Sequence, residues 1–146
     1  LGYADLRYAD LGYANLGYAK GLVAERVNDL LILLDQPGKI RAYKLTTPGG
    51  VGPSNGGVTY EKGQTYEVQN PNTDASKQCG AGINLATLPW CLAEWREGYR
   101  IFICEFTAAD IAAIPISNGK FRVAKAKVVK EIPEKQIREW LGLEEA

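Results

Sequence analysis

Leucine returns at every fifth residue at the start of the chain, at Leu1, Leu6, Leu11 and Leu16. Tyr3, Tyr8, Tyr13 and Tyr18 follow two places later, and Ala4, Ala9, Ala14 and Ala19 one place after that. This period belongs to no ordinary element. Along an α-helix five residues advance about 500°, so successive leucines step about 140° round the axis and line no face. Along a flat strand they alternate sides. A chain that keeps these leucines together must turn a corner in every repeat. The recurring tyrosines Tyr3, Tyr8, Tyr13 and Tyr18 are a candidate surface for a partner, because aromatic side chains that face outward anchor interfaces.

The frame Ala4-Asp5-Leu6-Arg7-Tyr8, Ala9-Asp10-Leu11-Gly12-Tyr13, Ala14-Asn15-Leu16-Gly17-Tyr18 resembles the pentapeptide-repeat family, A-(D/N)-L-x-x. The resemblance implies a right-handed quadrilateral β-helix over residues 1–22, with Leu and Ala pointing inward. That length supplies about one coil, and a solenoid buries its core only by stacking neighbours. Another element must therefore cover the coil, and residues 23–36 are expected to do so as a capping helix. The sequence starts within a repeat and contains no Met, so it is expected to be a piece of a longer protein. Self-association through an open coil end follows as a further expectation.

Composition prunes the chemistry. Seventeen basic and seventeen acidic residues balance, which argues against generic nucleic-acid or anionic-membrane binding. There is no histidine, so Ser-His-Asp, Cys-His and H-E-x-x-H mechanisms are excluded. Cys79, Cys91 and Cys104 cannot all pair within one chain and lack any C-x-x-C spacing, which points away from a metal site and toward a reducing, cytoplasmic setting. The glycines between Gly49 and Gly57 match no phosphate-binding word, and residues 47–57 read as a flexible loop. The longest apolar run, residues 30–34, is far short of a membrane span.

The remaining pattern predicts an α+β domain over residues 39–146 with a mainly antiparallel sheet and two helices. Val23, Val27, Leu30, Leu31 and Leu34 carry helical spacing that ends at Pro37-Gly38. Strands are expected at 39–45, at 58–60 and 65–68 as a hairpin round residues 61–64, at 83–86, and at 99–106 as the central strand. Further strands at 112–116 and 121–131 flank Ser117-Asn118-Gly119-Lys120, whose Asn-Gly suits a positive φ. Helices are expected at 88–96 and after Pro133, where Ile137, Trp140 and Leu141 give the apolar stripe. Lys120, Arg122, Lys125, Lys127 and Lys130 load the last strand with positive charge, read as protection of an edge or as an anion-binding surface that includes Arg122.

Across residues 40–132 the words Arg41-Ala42-Tyr43-Lys44, Tyr60-Glu61-Lys62-Gly63-Gln64, Cys79-Gly80-Ala81-Gly82-Ile83-Asn84-Leu85 and Gly119-Lys120-Phe121-Arg122-Val123 resemble a group of uncharacterised proteins common in bacteriophage genomes. Members often carry C-x-x-G-(I/L)-H-V, and here Asn84 stands at the histidine position. That group is similar in turn to ADP-ribosyltransferase-like folds. By order alone the similarity maps a catalytic set onto Arg41 for the cofactor phosphates, Thr87 for the nicotinamide ribose and Glu105 for a developing oxocarbenium ion, with NAD as cofactor. The competing assignments are a surface charge for Arg41, a helix N-cap for Thr87 and a solvent-facing strand position for Glu105. Cys79, before Gly80 and Gly82, reads either as a reactive thiol beside exposed backbone N–H groups or as a buried or half-buried structural one, the glycines then serving a tight turn; no general base accompanies it. The expected function is a non-catalytic interaction or structural module of a phage or bacterial protein, without a cofactor. It would bind a protein partner or itself, in the host cytoplasm or the virion. Cys79, Gly80, Gly82, Asn84 and Arg122 join the tyrosines as binding candidates, and the alternative is an NAD-using transferase.

Overall fold

Between Arg100 and Thr107 apolar side chains fall on both faces, Phe102, Cys104 and Phe106 on one and Ile101 and Ile103 on the other, as a strand covered from both sides requires. In the computed structural model, which describes residues 28–53 and 57–144, this strand lies inside a seven-stranded sheet. A 3₁₀ segment, Asp29–Asp35, comes first. Then follow β1 (Lys39–Thr46), β2 (Thr65–Glu67), β3 (Ile83–Ala86), α1 (Leu88–Glu94), β4 (Arg100–Thr107), a 3₁₀ turn at Ala108–Asp110, β5 (Ile111–Ala113), β6 (Lys120–Val123), β7 (Lys125–Ile132) and α2 (Glu134–Trp140). The sheet order is β2-β7-β4-β1-β3-β6-β5, and every registered pair is antiparallel.

The order has a geometric consequence. β6 and β7 are separated only by Ala124, yet they lie four strand steps apart, which in a flat sheet is about 19 Å. A single residue spans at most about 3.6 Å. The sheet must curl until its two wings meet at Ala124, whose N–H donates to the Asp110 carbonyl at 2.7 Å and whose carbonyl accepts from Val68 N at 2.8 Å. Inside the curl lies the larger core, built on Leu85, Phe102, Cys104, Phe106, Phe121, Val123 and Val128. A second core forms on the outer face, where Leu45, Ala86, Ile101 and Ile132 meet Cys91 of α1 and Ile137 of α2.

Several expectations are corrected. The predicted quadrilateral β-helix coil is not part of the described fold, whose strands pair antiparallel and edge to edge in one sheet instead of stacking as coils. Residues 1–22, on which the pentapeptide reading rests, lie outside the described residues, as do 23–27 of the expected capping helix. What is described of that helix is the 3₁₀ segment, opened by Asn28, whose side chain accepts from Leu30 N. Its Leu30, Leu31 and Leu33 pack on the inner core. The hairpin expected at 58–68 does not form. Thr59 bridges to Val51, while β2 pairs with β7, because Tyr60 turns into the core and stacks edge-on against Tyr66 at 5.0 Å. The strand expected over 121–131 divides at Ala124, where the chain passes from one wing to the other. The α+β class and the mainly antiparallel sheet stand.

Candidate functional site

β1 and β3 are joined by one registered pair, Tyr43↔Ala86, and the gap beside it holds the site. Alternation places Lys44 on the same face as Ala42 and Thr46, toward the inner core. Its side chain is 6% exposed, its ammonium lies 5.3 Å from the centre of the Tyr60 ring, and it donates to the Asn84 carbonyl at 2.8 Å. No carboxylate among the described residues pairs with it. Burial pushes its pKa down to about 8, since a low-dielectric surrounding disfavours the charged form.

Asn84 supplies the second unusual feature. Its amide nitrogen donates to the Gly80 carbonyl at 3.1 Å, whereas its Oδ1 is buried and has no donor. Buried polar atoms are nearly always satisfied, so an orphan of this kind needs a reason. Asn84, Lys44, Cys79, Trp90, Lys120 and Pro53 line a chamber of about 40 Å³. Lys120 reaches in from β6, with its Nζ 2.8 Å from Cys79 Sγ and 5.4 Å from the centre of the Trp90 ring. The chamber adjoins a wide cleft of about 1170 Å³, and Pro53, Trp90 and Lys120 border both.

The wall carrying Cys79 is built round Arg122. This guanidinium is fully buried and gives its donors to three carbonyls: Nε to Asn72 at 2.7 Å, Nη1 to Lys77 at 2.9 Å and Nη2 to Asp74 at 3.1 Å. Gly80 and Gly82 let it in. A Cβ on Gly80 would lie 2.8 Å from Asn72 Cβ, and one on Gly82, where φ is +136°, would lie 2.8 Å from Arg122 Cγ. The opposite wall is set by the turn before β6. There the Ser117 hydroxyl accepts from Lys120 N at 2.9 Å, and Thr87 N donates to the Gly119 carbonyl at 3.0 Å.

The candidates from the sequence therefore separate. Cys79 and Asn84 meet in the chamber, while Gly80, Gly82 and Arg122 shape its wall. Cys79 is exposed, which corrects its reading as a buried or half-buried structural thiol: the bonds that hold its loop to Arg122 leave the sulfur at the chamber mouth. Cys91 and Cys104 are buried, and burial raises each thiol pKa to about 12. Tyr3, Tyr8, Tyr13 and Tyr18 lie outside the described residues. Of the transferase set, Arg41 and Glu105 are registered partners in β1 and β4 and form an ion pair at 3.2 Å. The Arg41 guanidinium holds the Glu105 carboxyl below its usual range. Thr87 accepts from Trp90 N at 3.4 Å as the N-cap of α1. It borders the wide cleft, which neither Arg41 nor Glu105 lines.

Sequence reasoning missed Lys44 and the chamber role of Trp90. Lys44 sits at an inward position of an imperfectly alternating strand, and that was the available signal. Lys125, Lys127 and Lys130 are exposed, while Lys120 and Arg122 of the same basic run turn to the site. Among the described residues no group of three His, Cys, Asp or Glu is placed to hold a metal, and no helix is long and apolar enough to cross a membrane. Comparison with known proteins finds no match among family models, curated proteins or solved structures.

Proposed function

We propose that the protein is a binding module that receives a carboxylate or phosphate group in the chamber between β1 and β3, with the rest of the ligand extending along the cleft beside Trp90. The observation that carries this reading is Lys44: an ammonium nine-tenths buried, without a carboxylate partner among the described residues, facing a small open chamber. Burying a lone charge is costly unless something pairs with it. Lys120 stands at the mouth as a second cation, and a protonated ligand oxygen or a bridging water satisfies the orphaned Asn84 Oδ1. The chamber is lined by no carboxylate and the chain has no imidazole, and the reading is of binding without turnover.

The test is thermal unfolding at pH 7 in increasing inorganic phosphate against chloride at equal ionic strength. A ligand that binds only the folded state raises the melting temperature in a saturable way. The expected result is such a rise for the wild type and its loss in Lys44→Met. An equal rise in both proteins, or none in either, contradicts the proposal.

A further inference from the structure

We infer that Cys79 and Lys120 form a reversible oxidative cross-link, a sulfur–oxygen–nitrogen bridge between β6 and the loop before β3. The pair is not a chance contact of two free side chains. Lys120 is held at its backbone by Ser117, which accepts from Lys120 N at 2.9 Å and donates to Lys120 O at 3.0 Å. The residue before Cys79 is tied across the same mouth, Gln78 Nε2 donating to the Ile116 carbonyl at 2.9 Å. On the other side of the thiol, the Gly80 carbonyl accepts from Asn84. With both backbones fixed, the sulfur and the nitrogen stand 2.8 Å apart, and prepositioned groups react as though highly concentrated. Sulfur is larger than oxygen, so 2.8 Å is closer than an ordinary N–H···S hydrogen bond. The separation accommodates one interposed oxygen atom, whereas a direct sulfur–nitrogen bond requires the two groups to close further.

The exposed thiol gives an oxidant access, and among the three cysteines the other two are buried. Hydrogen peroxide is the oxidant class. One peroxide transfers an oxygen to the Cys79 sulfur as its O–O bond breaks, leaving water and a sulfenic acid. The Lys120 ammonium gives up a proton to solvent, and a second peroxide brings the freed amine to the hydroxylamine level and leaves another water. Condensation of S–OH with N–OH expels a third water and forms the S–O–N bridge. Sulfur and nitrogen each give up two electrons, which the two peroxides take. Two equivalents of a dithiol reverse the change to thiol, amine and one water. The bridge replaces the Lys120 ammonium by a neutral group at the mouth of the chamber. Its formation does not depend on what the chamber binds.

Intact-mass spectrometry of the full chain after graded hydrogen peroxide tests this. The expected product is heavier by about 14 Da, one oxygen gained and two hydrogens lost. Peptide mapping should join Cys79 to Lys120, and dithiothreitol should return the original mass. Lys120→Arg and Cys79→Ser should both abolish the species, and circular dichroism of each variant checks its fold. Three results overturn the inference: oxidation of Cys79 to sulfinic and sulfonic acids at the same rate in wild type and Lys120→Arg, an intermolecular disulfide as the main product, or a loss of about 2 Da marking a direct S–N bond.

Discussion

Lys44 is the residue where stability and function pull apart. Its pKa in the fold, about 8, lies below the ordinary value of 10.5, so between those values the unfolded chain binds more protons and stability from this group rises with pH. Below pH 8 the full cost of burying the charge is present, on the order of 3 kcal/mol. Above the ordinary value it is gone. Lys44→Met is expected to be more stable than wild type at pH 7, and the difference should shrink as pH rises through 8 toward 10.5. Denaturant unfolding across that range, compared between the two proteins so that other titrations cancel, checks it. A variant less stable than wild type at pH 7 contradicts the isolated-charge account. Arg122 behaves in the opposite way. Its guanidinium satisfies three carbonyls, so Arg122→Ala should cost about 3 kcal/mol or more. Gly82→Ala should also destabilise, because a side chain there strikes Arg122 at a positive φ. Chemical denaturation measures both.

At the scale of elements, the crossing at Ala124 holds the two wings of the sheet together. Ala124→Pro removes the N–H that bonds Asp110 and should destabilise by about 1–3 kcal/mol. Amide exchange should quicken in β5 and β6 if this wing is released first, and unchanged exchange there would count against the curled closure. Much of the element list was legible in the sequence. β3 was read as 83–86 and β4 within one residue at each end, because dense apolar runs bounded by turn residues carry a local signal. The curl was not legible. Whether residues 120–132 make one strand or two is decided by β3 and β4, which are distant in the sequence, and alternation is nearly the same in either case. The hairpin at 58–68 failed for a related reason: two short strand-like runs round a Gly turn meet the local rule, but the burial of Tyr60 and the edge offered by β7 win.

For the whole molecule, the site arises where elements from separate parts of the chain meet: Lys44 of β1, Asn84 of β3, Trp90 of α1 and Lys120 of β6. The word Cys79-Gly80-Ala81-Gly82-Ile83-Asn84 marked one wall in advance, since clustered glycines beside a thiol signal a special backbone. Lys44 carried no such mark, because a lysine in a strand ordinarily faces water, and only the splay between β1 and β3 makes this one exceptional. A neutral overall charge likewise concealed two cations, Lys44 and Lys120, gathered round one opening. Binding of an anion there stabilises protonated Lys44, so affinity for phosphate should fall as pH rises through 8. The most direct measurement is a ¹⁵N-lysine side-chain NMR titration of Lys44 with and without inorganic phosphate. A midpoint near 8 that moves upward with phosphate is the predicted result. A midpoint at the ordinary lysine value, or one that phosphate leaves unmoved, contradicts the buried, ligand-seeking cation on which the functional reading depends.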